Sequence, residues 1–226
     1  MKLDDVTLFS IAGMPKYIED TKKVLRHCTN LCDFAKVKLF SPKEDKEFEH
    51  VKTNFLDLSL YNKFCIEELD NHIDTEYCLL VQPDGFIIDT NYWTDKFLEY
   101  DYVGAPWPGH DHNIGNGGFC LRSKKFLQAS AKLEYVSDAH LQAGLSINQF
   151  LSRHIAPEDW FIILHNTEHM NKENVKFPSV DLAFQFSVEH PSEIKNFARD
   201  DLSTYKSFGF HGPFNTAGMR VLNERF

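Results

Sequence analysis

A continuous apolar run, Tyr77-Cys-Leu-Leu-Val81, passes without a break into Gln82-Pro-Asp-Gly85. An unbroken run of this kind is typical of a strand that other elements cover on both faces, as in parallel sheets. Asp84 would then lie at the carboxyl end of a central strand, where open α/β sheets bind their ligands. An Asp followed by Gly is also ordinary turn chemistry, so position alone supports a turn and a site about equally.

Strands and helices alternate on the N-terminal side of this run. Residues 6–11 and 35–40 are rich in strand formers, and the stretch from residue 15 to about residue 26 predicts a helix between them. Residues 58–73 carry apolar side chains, Leu60 among them, at helical spacing. This alternation predicts a mostly parallel α/β sheet.

The pattern changes after Asp84, where short apolar segments separated by turn residues predict a mixed or antiparallel extension of the sheet. Further helices are predicted over residues 124–132 and 146–154 and after Pro157. Residues 184–188 predict a short strand, and the signals are weak beyond it. No linker is long or biased enough to divide the chain into two domains.

Composition excludes several classes of protein. The chain has 226 residues, a formal net charge of −9 and 14% aromatic residues, so it is neither disordered nor a general binder of nucleic-acid backbone. Its five cysteines are odd in number and favour reduced thiols. The first residues lack the pattern of a signal peptide, and no apolar run is long enough to span a membrane. We therefore expect a cytoplasmic protein without a transmembrane segment.

A series of motifs, in order from about residue 60 to residue 212, resembles a glycosyltransferase-like domain family of unknown function from bacteria and viruses. That family is similar to nucleotide-sugar glycosyltransferases of the GT-A fold. The motifs are Tyr61-Asn-Lys-Phe64, Ile73-Asp-Thr-Glu76, Val81-Gln-Pro-Asp-Gly-Phe86, Tyr100-Asp-Tyr-Val-Gly-Ala-Pro-Trp107, Gly115-Asn-Gly-Gly-Phe-Cys-Leu-Arg-Ser123, Pro157-Glu-Asp159 and Phe208-Gly-Phe-His-Gly212.

The resemblance implies a GT-A-like, Rossmann-like mixed α/β sheet flanked by helices, as a single domain over residues 1–226. Residues 1 to about 100 would bind the donor, and residues 101–226 would bind the acceptor. The implied reaction moves a sugar from a nucleotide-diphosphate sugar to a hydroxyl acceptor. A glycan, a lipid-linked glycan, a protein and a modified nucleobase all stay open as that acceptor.

The resemblance also implies a divalent cation, Mn²⁺ or Mg²⁺, on the diphosphate of the donor. GT-A enzymes carry an Asp-x-Asp motif at the end of the fourth strand, whereas this sequence reads Gln82-Pro83-Asp84, with an amide in place of the first acid. Asp84 and His211 are the expected metal ligands. For His211 the alternative is a turn in an aromatic tail.

Eight residues are expected to contact the donor. Lys63 could instead be a solvated lysine, the glycine-rich segment could be a hairpin turn, and Arg122 with Ser123 could cap the next helix. The eight residues are Ala12, Lys63, Gln82, Asp84, Asn116, Gly117, Gly118 and Arg122.

Glu158 and Asp159 follow Pro157 at a predicted helix start, where the helix dipole favours acidic residues in any case. The resemblance places the general base of an inverting enzyme here. We assign Asp159 as the base and Glu158 to positioning the acceptor, and the reverse assignment is nearly as well supported.

Two other classes of function stay open. His165-Asn-Thr-Glu-His169 matches an inverted zinc-protease pattern, which would make His165, Glu168 and His169 the centre of a zinc metallohydrolase. Gln82, in place of an acid, supports a non-catalytic domain that binds nucleotide sugars or carbohydrate. A loop with His110, Asp111 and His112 could cover the donor site. The tryptophans that could stack on a sugar or base are Trp93, Trp107 and Trp160.

Overall fold

The computed structural model describes residues 1–55, 57–107, 114–135, 156–190 and 194–224. The helix predicted over residues 146–154 and the loop with His110, Asp111 and His112 lie outside these ranges.

A six-stranded mixed sheet forms the centre of the fold, with the strand order β3-β2-β1-β4-β7-β6. The first four strands in this order are parallel, and β7 and β6 are antiparallel to their neighbours. Both the parallel part and the antiparallel extension were predicted, and the structure confirms them. The strands are β1 (Lys2–Ile11), β2 (Asp33–Ser41), β3 (Glu49–Lys52), β4 (Tyr77–Leu80), β6 (Tyr102–Val103) and β7 (Cys120–Ser123).

Apolar side chains bury the central strands on both faces of this sheet. Leu8 and Leu79 belong to one apolar cluster, whereas Phe9 and Leu80, their neighbours along the chain, belong to a second cluster. Successive side chains of a strand point to opposite faces, so each cluster lies on its own side. The continuous apolar run therefore reflects a doubly covered strand, as predicted.

Helices cover the sheet and follow its strands. The helix expected from residue 15 begins as a 3₁₀ turn (Pro15–Tyr17). The α-helices are α1 (Ile18–Leu31), α2 (Leu58–Lys63), α3 (Lys124–Ser130), α4 (Glu158–Trp160), α5 (Thr167–Lys172), α6 (Val180–Phe186) and α7 (Thr216–Asn223). Further 3₁₀ turns are Thr90–Tyr92, Asp95–Glu99 and Leu202–Thr204.

The segment predicted as one helix over residues 58–73 is helical, but its geometry changes twice. After α2 it continues as a π-turn (Phe64–Glu68) and a 3₁₀ turn (Leu69–His72). Leu60, expected on the apolar face, is 42% exposed, whereas Asn62 is 1% exposed. The change of period shifts which side chains face the core, so a single 3.6-residue pattern misassigns Leu60.

A second sheet of three short strands, in the order β5-β9-β8, lies at the end of β4. Its strands are β5 (Gly85–Ile87), β8 (Ser187–Val188) and β9 (Gly209–His211). Strand β9 and helix α7 give regular structure to a tail whose sequence signals are weak, because that tail is ordered by pairing with residues far away in sequence.

The strand predicted over residues 184–188 is wrong for most of its length. Helix α6 includes residues 184–186, and only Ser187 and Val188 are in a strand. The hydroxyl of Ser179 accepts a hydrogen bond from the backbone N–H of Leu182 and caps this helix. Ala183 and Phe186, three residues apart, are both buried, which is helical spacing.

All five cysteines are buried and unpaired, as the sequence predicts for reduced thiols. No helix in the described ranges has the length and apolar character needed to cross a membrane.

Candidate functional site

A cavity of about 820 Å³ opens beside the end of β4, at the junction of the two sheets. Its walls include six of the residues singled out from the sequence for contact with the donor or acceptor: Gln82, Asn116, Gly117, Gly118, Glu158 and Asp159. His211, Trp107 and Trp160 also line it. The chain therefore brings together segments that are more than 100 residues apart.

Asp84 and His211 are neighbours at this junction. Gln82 and Gly85 pair across a tight turn that carries Asp84, and Gly85 pairs with His211 on the adjacent strand β9. The backbone N–H of Gly212 donates to the Asp84 carbonyl at 2.8 Å. His211 Nε2 then lies 3.9 Å from Asp84 Oδ1. This strand pairing places side by side the two residues predicted as metal ligands.

Glu189 lies on the other side of the His211 ring and is not among the site residues expected from the sequence. Its Oε1 lies 3.1 Å from His211 Nδ1. A carboxylate only accepts, so Nδ1 carries the proton and donates to Glu189. When the ring is neutral, Nε2 then presents its lone pair towards Asp84. The available signal in the sequence is a carboxylate that directly follows β8, but the sequence predicts a longer strand over residues 184–188 before it.

The pKa values of this pair move in opposite directions. Burial alone would lower the pKa of His211, but the hydrogen bond to Glu189 raises it above its ordinary value. Burial alone would raise the pKa of Glu189, but the same hydrogen bond lowers it. The amide of Asn116 also donates to Glu189 and stabilises its charge. The arrangement holds the imidazole ring in one orientation.

The glycine-rich segment packs against side chains of the cavity wall. A Cβ on Gly118 would lie 2.0 Å from His211 Nε2, and a Cβ on Gly117 would lie 2.2 Å from Glu158 Oε1. Asn116 has a φ of 64°, and its Oδ1 accepts from the Gly118 N–H at 3.1 Å. The sequence predicted that something approaches this backbone closely. In the structure these groups are the protein's own His211 and Glu158.

Glu158 and Asp159 begin helix α4 as predicted, and their surroundings differ. Glu158 is 4% exposed, and its Oε1 accepts a 2.6 Å hydrogen bond from Arg122 Nη2. Asp159 is less buried, and it accepts from the N–H groups of Gly117 at 2.7 Å and Trp160 at 2.8 Å. The start of α4 thus places the Glu158 carboxylate against the Arg122 guanidinium and the Asp159 carboxylate at the cavity.

The pKa of Asp159 is raised to about 7. Burial is the largest cause, and the nearby charge of Glu158 acts in the same direction against the hydrogen bonds from Gly117 and Trp160. A carboxylate with a pKa near neutrality can take up a proton in the course of a reaction.

The donor set suits a divalent cation whose coordination a substrate completes. Mg²⁺ and Mn²⁺ take oxygen ligands, and Mg²⁺ is often bound through one or two carboxylates together with substrate phosphates. Asp84 offers a carboxylate, and His211 offers an imidazole nitrogen. Glu189 contacts the other ring nitrogen of His211, as carboxylates commonly do for histidines that bind a metal. In the described part of the chain no group of three or more His, Cys, Asp or Glu side chains is arranged to hold a metal.

Four residues predicted to contact the donor do not line the cavity, and one of them, Asp84, lies beside the cavity-lining His211. Arg122 is fully buried behind Glu158, where it acts as a counter-ion, so direct contact with a phosphate is not supported. Removing one partner of such a buried pair typically destabilises a protein by about 3–5 kcal/mol. Ala12 is buried, and its N–H donates to the Phe40 carbonyl at 2.8 Å. Lys63 is 52% exposed and lies 3.6 Å from Glu67.

Ser123 caps helix α3, because its hydroxyl accepts from the Phe126 N–H at 3.0 Å. This is the capping alternative considered for the Arg122–Ser123 pair. Trp93 packs against Phe97 and Phe208 and does not line the cavity.

The inverted zinc-protease pattern lacks the geometry that it needs. A π-turn ends at His165, and α5 begins only at Thr167, with Asn166 outside helical geometry between them. The two histidines are therefore not on one continuous helix. His169 Nε2 donates to the Ala129 carbonyl at 2.8 Å, so it already has a structural role. The structure does not support a zinc site here.

Comparisons with known proteins agree with this fold. Residues 45–211 match the model of a family described as protein of unknown function (DUF5672). A glycosyltransferase involved in the glycosylation of the major capsid of PBCV-1 aligns over 97% of this chain and 98% of its own, with 12% identity and a TM-score of 0.52. This likeness shows a shared GT-A-like fold.

More distant likenesses include the apo form of the glycosyltransferase GlyE of Streptococcus pneumoniae TIGR4, with 12% identity and a TM-score of 0.42 over 97% of this chain and 62% of that chain. HddC of Yersinia pseudotuberculosis has 14% identity and a TM-score of 0.36 over 58% of this chain and 80% of that chain. No curated protein matches the sequence.

Proposed function

The chain belongs to the family of unknown function DUF5672, and we propose that it transfers a sugar from a nucleotide-diphosphate donor to a hydroxyl acceptor. The proposal rests on one observation: Asp159, whose pKa is about 7, lines the same cavity as His211, which has Asp84 beside it. A proton acceptor and a pair of cation ligands thus lie at the end of a central strand.

In the proposed reaction Asp159 accepts the proton of the acceptor hydroxyl, and the acceptor oxygen forms a bond to the anomeric carbon. The bond from that carbon to the diphosphate oxygen breaks, and its electron pair leaves with the diphosphate. Asp159 is favoured over Glu158 as the base, because one Glu158 oxygen is already held by a buried guanidinium.

Asp84 and His211 are the proposed ligands of Mn²⁺ or Mg²⁺. A bound cation would neutralise the charge that develops on the leaving diphosphate. Glu189 keeps the imidazole oriented for this role, and the Asn116 amide donates to Glu189. Of the expected donor contacts, Gln82, Asn116, Gly117 and Gly118 remain proposed, since they line the cavity. The division into a donor half and an acceptor half and the identity of the acceptor stay predictions.

A second candidate is a domain that binds a nucleotide sugar without turning it over. The observation in its favour is Gln82, an amide where related enzymes carry the first acid of the metal motif. If the domain only binds, Asp84→Ala should leave affinity for the nucleotide sugar little changed.

The test begins with a thermal-shift screen of UDP-glucose, UDP-galactose and GDP-mannose, each with and without Mn²⁺. Binding to the folded state raises the unfolding temperature, so a stabilising donor is identified before any acceptor is known. With that donor, Asp84→Asn and His211→Ala should each lower hydrolysis or transfer by about tenfold or more.

Asp33→Asn is the matched control, because Asp33 is exposed at the start of β2. It should behave like the unaltered protein. Unchanged turnover in both Asp84→Asn and His211→Ala, with the fold intact, would contradict the proposed cation site.

A further inference from the structure

Two side chains in the cavity wall each keep one oxygen without a hydrogen-bond donor. They are Asn62, whose Oδ1 has no donor among the described residues, and Glu158, whose Oε2 has none either. Asn62 is 1% exposed and Glu158 is 4% exposed, yet both line the cavity. A buried acceptor without a donor is unusual in a folded protein, because it has lost its water without replacement.

The orientation of the Asn62 amide follows from its other contacts. Its Nδ2 donates to the Ala156 carbonyl at 2.9 Å and to the Tyr135 hydroxyl at 3.0 Å. A backbone carbonyl only accepts, so the nitrogen must face Ala156 and the amide cannot be turned around. The oxygen is therefore the atom that stays without a donor.

Glu158 is fixed in a comparable way. Arg122 Nη2 donates to its Oε1 at 2.6 Å, and both side chains of this ion pair are buried. The Oε1 atom accepts from the guanidinium, whereas Oε2 is a second acceptor that needs a donor from elsewhere. Asn62 donates a hydrogen bond to the carbonyl of Ala156, which is two residues before Glu158. Asn62 therefore contacts the segment that carries Glu158.

We propose that Asn62 Oδ1 and Glu158 Oε2 form a subsite that binds two hydroxyl groups of a sugar ring, one on each oxygen. A ligand that satisfies two acceptors must bring two donors, and sugar hydroxyl groups are donors of this kind. The inference depends on the proposed function only for the choice of a sugar as the ligand. Donor sugar and acceptor sugar share this chemistry, and the experiment below separates them.

The decisive experiment changes the ligand and leaves the protein intact. Binding to the full chain is measured by calorimetry for UDP-glucose, UDP-galactose and GDP-mannose, for the matching methyl glycosides, and for analogues with one hydroxyl replaced by hydrogen or fluorine. Fluorine can accept a hydrogen bond but cannot donate one. At two ring positions we expect both replacements to weaken binding by about tenfold or more.

The series in which the loss occurs identifies the sugar. A loss confined to the nucleotide sugars assigns the subsite to the donor, and a loss in the methyl glycosides assigns it to the acceptor. If every fluorinated analogue binds as tightly as its parent, or if none of these ligands binds, the subsite is contradicted and water alone satisfies the two oxygens.

The variant Glu158→Gln supplies an independent check, because it replaces the acceptor with a donor at nearly constant size. At one ring position, replacing the hydroxyl by fluorine should then no longer weaken binding. Thr21→Val is the matched control: Thr21 is a buried residue of α1 whose hydroxyl likewise lacks a partner among the described residues, but it does not line the cavity. The affinities of Thr21→Val for these ligands and analogues should equal those of the unaltered protein. If Glu158→Gln does not fold, the affinities of the unaltered protein for the fluorinated analogues test the subsite without the variant.

The outcomes separate this inference from the proposed function. Turnover of a nucleotide sugar with no dependence on individual hydroxyls would overturn the subsite and leave the transferase. Binding of methyl glycosides with that dependence, but without turnover of any donor, would keep the subsite and overturn the transferase.

Discussion

At the scale of single residues, the burial of Asp159 is the feature with the clearest consequence for pH. Its pKa of about 7 means that the carboxylate form, which can accept a proton, predominates only above neutral pH. We predict that kcat/KM rises with pH through about 7. Asp159→Asn should lower kcat/KM by about 10²–10⁴-fold and abolish its rise with pH. A rate profile with a stabilising donor checks the prediction. An unchanged profile in the variant would assign the base elsewhere.

The same shift affects stability, and its sign follows from the direction. The folded-state pKa of Asp159 is raised from 3.8 to about 7, so folding favours the protonated form. The stability that this group contributes is fully present below pH 3.8 and is lost as the pH rises through about 7. Denaturant unfolding should therefore show Asp159→Asn gaining stability relative to the unaltered protein as the pH is raised from 3.8 to about 7, with no further gain above that pH.

Glu189 is the residue that orients His211. We predict that Glu189→Gln weakens Mn²⁺ binding by about 10–100-fold, because the amide no longer stabilises the ring as the carboxylate does. Titration of Mn²⁺, followed by its paramagnetic effect on water relaxation, measures this without an activity assay. Glu173→Gln is the control: Glu173 forms an ion pair with Lys132 and does not line the cavity. Equal affinities of the two variants for Mn²⁺ would show that Glu189 does not contribute to the cation site.

At the scale of elements, the turn at Gly115–Gly118 and strand β9 form one unit. We predict that Gly118→Ala lowers activity about as much as His211→Ala, since its Cβ would lie 2.0 Å from His211 Nε2 and displace the ring. Gly13→Ala is the matched control, because its Cβ would meet Phe55 Cβ at an ordinary 3.8 Å. Assays of both variants, with thermal unfolding to verify the fold, provide the check. Full activity in Gly118→Ala would show that the ring position is not needed.

Elements whose residues interact locally were predictable, and those that depend on distant partners were not. Strand β4 and helix α1 follow from apolar pattern and helix signals within a short window. Strand β9 is three residues long and exists because β5 and β8 pair with it. The π-turn after α2 and the one that ends at His165 change the helical period, so a fixed 3.6-residue period misplaces their side chains.

At the scale of the whole molecule, both faces of the main sheet are covered, and all five cysteines are buried. Burial raises the pKa of Cys32 to about 11 and that of Cys28 to about 12, so little reactive thiolate is present at neutral pH. We predict that alkylation of the native protein is slow and that all five thiols react once denaturant unfolds it. Mass spectrometry of the alkylated protein checks this. Rapid labelling of one cysteine under native conditions would show local opening there.

The sequence by itself determined the fold class, the central strand that ends before Asp84, and the motifs that resemble GT-A glycosyltransferases. These are properties of short segments, set by side-chain polarity and spacing. The tertiary structure alone decided that Glu189 holds His211, that Arg122 is buried against Glu158, and that the buried amide oxygen of Asn62 has no donor among the described residues. Those relations join residues 22 to 94 positions apart. A pattern along the sequence does not contain the distance in space between such residues. They arise because packing the two sheets forces polar groups to find partners or, at Asn62 and Glu158, leaves one oxygen of each side chain without a donor among the described residues.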